Sequence, residues 1–184
     1  MKYEKKTLSK LSLRLVMYSV MFSSIAQACT VPDLSTKIKV TQWIDYSENI
    51  GGHAVKCHTG KKSNQLIARI ENRDGTKGDD CDPAGGASSF TTQELLRDFI
   101  FYNNTQALTN MRAVVPPVVP PRYASVDFPF NGSTVGTVVR AAEKKDTPLC
   151  SNNSYVCKPA VKARLVFADV AGACVLWTAY PVVN

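Results

Sequence analysis

The stretch VKARLVFADVAGACVLWTAYPV, residues 161–182, decides the fold. Residues 161–168 and 173–182 are rich in Val, Phe, Trp and Tyr. Asp169-Val170-Ala171-Gly172 between them has the composition of a tight turn, so the segment reads as an antiparallel hairpin. On its second strand Thr178 and Tyr180 stand two residues apart, which places both hydroxyls on one face. Simple alternation puts Cys174 and Leu176 on that face and Val175, Trp177 and Ala179 on the other. Residues 134–140 (TVGTVVR) read as a further strand.

Upstream the pattern changes. Thr91 and Glu94 have capping-box spacing ahead of Leu95, Leu96, Phe99 and Ile100, and predict a helix running to about Met111. Ser63 can start a helix that carries Leu66, Ile67 and Ile70 on one side, and residues 46–59 read as a short helix ended by Gly60. Residues 37–41 alternate and read as a strand or extended arm. Residues 72–89 are rich in Gly and Asp and read as a loop. The run VVPPVVPP, residues 114–121, cannot be helix interior and reads as an extended connector. No internal repeat is present. Helices early and strands late predict an α+β domain, with short N-terminal helices packed beside a curved antiparallel sheet.

Residues 2–14 are basic, residues 15–25 mostly apolar, and Ala26-Gln27-Ala28 supplies small residues at a cleavage site. This layout predicts a signal peptide over residues 1–28 and one domain over 29–184. Cys29 directly after it leaves lipoprotein processing as the alternative. The apolar run is too short to span a bilayer, so the mature form is expected to be secreted or periplasmic, without a membrane segment, and monomeric. With the leader set aside, residues 29–184 carry a net charge of +3, too little to demand a polyanionic partner by bulk charge. Six cysteines, at 29, 57, 81, 150, 157 and 174, read as disulfides in an exported chain. Cys150 and Cys157 bracket a short polar loop and are the first pair to propose. A metal site is disfavoured, because no Cys-x-x-Cys exists and His58 directly follows Cys57. No metal or other cofactor is expected.

The chain has two histidines, His53 and His58. Imidazole is the natural general base near neutral pH. If both lay on one helix, five residues of spacing would turn them about 140° apart, so a single one is expected to face a site. Thr178 and Tyr180 could donate hydrogen bonds to a phosphoryl or acyl oxyanion. The P-loop, Gly-x-Ser-x-Gly and His-Glu-x-x-His patterns are all absent.

Three blocks carry a resemblance. Gly51-Gly52-His53, His58-Thr59-Gly60-Lys61 and Leu66-Ile67-Ala68-Arg69-Ile70 make the first, and Ala87-Ser88-Ser89-Phe90 the second. Leu176-Trp177-Thr178-Ala179-Tyr180-Pro181-Val182 makes the third. In this order they resemble the bacterial ribonuclease A-like toxin domain found at the C-termini of contact-dependent growth-inhibition and polymorphic toxin proteins. The resemblance implies a ribonuclease A-like fold and a catalytic set of one histidine, Arg69, Thr178 and Tyr180. The histidine is His58 by its block, with His53 as the second choice. Lys56 and Lys61 would bind substrate, RNA would be the substrate, and a cognate immunity protein would be a further partner. The expected activity is metal-independent transphosphorylation through the ribose 2′-hydroxyl, falling below about pH 6 as an ordinary imidazole protonates. A reading of a different class stands beside it: a non-enzymatic, disulfide-stapled binding or inhibitor protein.

Overall fold

The computed structural model describes residues 29–71, 81, 86–112, 123–130, 132–142, 150 and 154–183. Residues 1–28, expected to be a signal peptide, the proline run and most of the stretch expected to be a loop lie outside these residues. In chain order the described elements are α1 (Lys37–Asn49), α2 (Ala54–His58), α3 (Ser63–Ile70), β1 (Gly86–Phe90), α4 (Gln93–Tyr102) and α5 (Asn104–Arg112). They continue with β2 (Tyr123–Pro129), β3 (Gly136–Ala141), β4 (Tyr155–Ala160), β5 (Lys162–Val170) and β6 (Ala173–Val182). The fold is α+β, with two three-stranded antiparallel sheets ordered β2-β5-β6 and β1-β3-β4 in place of one curved sheet.

The hairpin of residues 162–182 forms around a two-residue turn. Ala171 (φ 51°) and Gly172 (φ 82°) both take left-handed conformations, which match the twist of the flanking strands. Asp169 Oδ1 accepts from the Gly172 N–H at 2.8 Å. Both sheets place proline on an edge: Pro159 in β4 and Pro181 in β6 withhold no interior ladder bond.

Several local expectations give way. Residues 37–41 open α1 instead of a strand. Thr36 caps the helix by accepting from the Lys39 N–H at 3.2 Å, and Val40, Trp43, Ile44 and Ser47 are buried at helical spacing. The alternation misled because Ile38 is 71% exposed and takes no part in the core. Residues 46–49 belong to α1, and the chain breaks at Gly51 before the shorter α2. Residues 86–89 are strand, not loop. The helix expected to run to Met111 is two helices. Thr92, not Thr91, caps α4 by accepting from Leu95 N–H at 3.1 Å. Asn103 ends it by donating both its backbone N–H and its side-chain amide to the Phe99 carbonyl.

The main core lies between the β2-β5-β6 sheet and helices α1, α4 and α5. Phe99 sits at its centre, with ring centroids 5.9 Å from Phe90, 6.3 Å from Phe128 and 5.7 Å from Phe130. A smaller cluster of Leu66, Ile67, Ala87, Val139 and Cys150 packs α3 on the other sheet. Three disulfides join Cys29 to Cys174, Cys57 to Cys81 and Cys150 to Cys157, with Cα separations of 5.0, 5.2 and 5.0 Å. Three bridges and the lack of any long apolar helix among the described residues are compatible with an extracellular or periplasmic protein.

One irregularity positions the site. Phe167 pairs with Leu176 but Val166 pairs with Thr178, so Trp177 is an extra residue in β6. This bulge inverts the alternation. Cys174, Leu176 and Ala179 face the main core with Leu165 and Phe167, whereas Thr178 and Tyr180 share the opposite face with Val166 and Arg164. The expectation that Cys174 and Leu176 share a face with the two hydroxyls is therefore wrong. It assumed unbroken alternation through Trp177.

Candidate active site

The loop after α1 is built to bring its backbone onto β6. A Cβ on Gly52 would lie 2.6 Å from the Leu176 carbonyl oxygen and 2.7 Å from that of Ser47, so no larger residue fits. Immediately after it, the His53 N–H donates to the Trp177 carbonyl at 2.9 Å, docking His53 on the bulge. Ser47 Oγ accepts from the Leu176 N–H at 3.0 Å and completes the seam. Glu48 then organises α2 by accepting from the N–H groups of Val55 and Lys56 at 2.8 and 3.1 Å, as a carboxylate at a helix N-terminus does.

His53 is the residue before α2, not part of it, with φ −145° and ψ 25°. The helical angle between the two histidines therefore does not apply. Their ring centroids lie 6.2 Å apart, and the expectation that they diverge is corrected. The His53 ring meets the edge of Trp177 at 6.0 Å, and the His58 ring lies 5.4 Å from that of Tyr180.

His58 Nδ1 lies 3.0 Å from the Ser88 carbonyl oxygen of β1. A carbonyl can only accept, so Nδ1 carries the proton, and in the neutral ring Nε2 keeps its lone pair. Burial holds the His58 pKa down to about 4 from the usual 6.5. Electrostatic repulsion involving His53 and Arg69 adds to this, while the Ser88 bond opposes it. The ring is thus a neutral proton acceptor down to far lower pH than an ordinary imidazole.

Arg69 reaches in from α3. It is 6% exposed and donates from Nη1 to the Cys57 carbonyl at 2.6 Å, at the C-terminal end of α2. The Cys57–Cys81 bridge anchors the same turn. Thr59 pairs in parallel with Phe90, and the Lys61 N–H donates to Ser89 Oγ at 2.9 Å, so the segment after His58 is tied along β1. Thr178 is 8% exposed and its Oγ1 has no hydrogen-bond partner. A buried hydroxyl without a partner is destabilising, and such a group needs an explanation beyond folding.

His53, His58, Arg69, Thr178 and Tyr180 thus come from α2, its entry loop, α3 and one face of β6. No family model, curated protein or solved structure matches the chain. Among the described residues no group of three or more His, Cys, Asp or Glu side chains is arranged to hold a metal.

Of the two lysines, Lys61 is fixed beside the site through its backbone. Lys56 lies away from it, exposed on the side of α2 that faces Asp45, Glu48 and Asn49 of α1. Its expected contact with substrate is not supported by this placement, because two residues along a helix turn it far from His58. Sequence reasoning missed the Ser88 carbonyl that sets the His58 tautomer, and the Trp177 carbonyl that docks His53. The Ala-Ser-Ser-Phe block marked the first segment without indicating what its backbone does.

Proposed function

We propose that the protein is a metal-independent endoribonuclease with a ribonuclease A-like arrangement, cleaving RNA by attack of the 2′-hydroxyl. What supports this reading above all is the His58 imidazole lying 5.4 Å from the Tyr180 ring, with Thr178 on the same strand face and the buried Arg69 bonded to the residue before His58. His58 Nε2 removes the 2′-hydroxyl proton, and the 2′-oxygen forms a bond to phosphorus. The bond to the 5′-oxygen breaks, leaving a 2′,3′-cyclic phosphate. The departing oxygen takes up a proton, for which His53 is the second imidazole at hand. Arg69 supplies fixed positive charge, and Thr178 and Tyr180 donate to the phosphoryl oxygens as negative charge accumulates. The unpartnered Thr178 hydroxyl is the donor that such a group would satisfy.

An export leader and three disulfides suit a secreted enzyme, and a toxin acting on competing cells with an immunity partner is the biological setting we infer. The test is incubation of the purified chain with single-stranded RNA in excess EDTA. Cleavage with 2′,3′-cyclic phosphate ends is expected, and DNA should be spared because it lacks the nucleophile. Intact RNA would remove the enzyme reading and leave the stapled binding protein.

A further inference from the structure

The ribonuclease reading uses one face of β6 and leaves its neighbour on β5 without a role. In the strand ladders Arg164 stands directly across from Tyr180, and Asp127 of β2 stands directly across from Arg164. Cross-strand partners share a sheet face, so the three side chains form one row leading to the site. Asp127 grips the guanidinium at two points. Arg164 Nε donates to Oδ1 at 2.5 Å and Nη2 donates to Oδ2 at 2.8 Å. This fork fixes the plane of the guanidinium.

The same guanidinium has the Tyr180 phenol as its cross-strand neighbour on that face and lies within electrostatic reach of it. Arginine has donors and no acceptor, so a hydrogen bond between these neighbours has the phenol oxygen as its acceptor. Its own O–H is then left to donate elsewhere, and His58 lies on the site side of the ring at 5.4 Å. The Arg164 and Asp127 side chains are 40% and 41% exposed, so the pair adds little to stability. Its geometry is better explained by what it does to Tyr180.

We propose that Arg164, held by Asp127, is a positioning residue that fixes the Tyr180 hydroxyl as a hydrogen-bond donor toward the phosphoryl group in the cleft. The substrate in this statement rests on the ribonuclease reading, but the row of three side chains does not.

The test compares wild type, Arg164→Met, Tyr180→Phe and the double variant on a fluorogenic single-stranded RNA in EDTA, with Tm measured for each. Arg164→Met should lower kcat about tenfold, the loss of one oriented hydrogen bond, and change KM less than about twofold. In the Tyr180→Phe background the same substitution should lower kcat by no more than about twofold. Equal losses in both backgrounds, or a raised KM with kcat intact, would overturn the proposal, since either means that Arg164 acts on RNA directly or on the fold. A second arm needs no activity. The guanidinium N–H resonances of Arg164 should exchange slowly in wild type and shift in Tyr180→Phe. Fast-exchanging signals, indifferent to Tyr180, would overturn the proposal by themselves. If wild type leaves RNA intact, the ribonuclease reading fails and the resonance arm alone decides the positioning of Tyr180.

Discussion

His53 and His58 hold their rings 6.2 Å apart because the first stands outside the helix that ends with the second. His53 is placed by its backbone bond to the Trp177 carbonyl, and His58 by its ring bond to the Ser88 carbonyl. The two imidazoles are therefore positioned by different strands, and their separate removal should have separate consequences. His58→Ala is expected to lower RNA cleavage about a hundredfold or more, as loss of a general base does. His53→Ala should lose less, since solvent can supply the leaving oxygen with a proton. Steady-state rates on a fluorogenic RNA check the order, and a larger loss at His53 would reassign the base.

The pH profile follows from the burial of His58. Its pKa is lowered to about 4, so the base stays neutral and competent until the pH approaches that value. The acid limb of kcat/KM is expected near pH 4 and not near the 6.5 of a solvated imidazole. Stability should move in the same window. The unfolded chain takes up this proton more readily than the folded one, so folding stability associated with His58 is whole above about pH 6.5. It is lost progressively as pH falls toward about 4. Urea unfolding across that window, with His58→Ala as the flat reference, reads the effect.

Thr178→Val separates function from folding. The buried Oγ1 has no partner, so replacing it with a methyl group should leave Tm unchanged or raise it. Cleavage should fall about tenfold, as one transition-state hydrogen bond is removed. A marked drop in Tm would show instead that the hydroxyl serves the fold.

Gly52→Ala is expected to injure both. The added Cβ would meet two backbone oxygens, those of Leu176 and Ser47, neither of which can rotate away as a side chain could. The seam between the entry loop and β6 would have to open, at about 1–3 kcal/mol of stability. His53 would leave Trp177, and activity should drop several-fold more than stability alone explains. Thermal melts and initial rates of the one variant suffice to judge this.

The disulfides should differ in weight. Cys29–Cys174 closes a separation of 145 residues and Cys150–Cys157 a separation of 7. In the chain-entropy account the first contributes about 5 kcal/mol and the second about 2 kcal/mol. Paired alanine substitution at each bridge, followed by urea unfolding, should reproduce that order. An equal loss at both would mean that strain or residual structure in the unfolded chain dominates.

Residue order alone determined the elements whose signals are local. The hairpin of β5 and β6 was legible because its turn and both strands lie within one short window. The α4 helix was legible from its apolar face, although its cap is Thr92 and not Thr91, and the Cys150–Cys157 pair from proximity. β2 carried a readable signal that went unused: Ala124, Val126 and Phe128 alternate toward the core while Ser125 and Asp127 face outward. Its position after the proline run obscured it.

The tertiary structure alone decided the bulge at Trp177, the approach of the two histidines and the row from Asp127 to Tyr180. A bulge exists only relative to the strand opposite, so no property of residues 173–182 taken by themselves reveals that Trp177 is the extra one. The ionisation of His58 depends on which atoms exclude water from it and on the Ser88 carbonyl, thirty positions away in the chain. Motifs named the residue types that chemistry would need. Packing between two sheets and three helix ends set their distances, because hydrogen bonds and desolvation act through space and not along the chain.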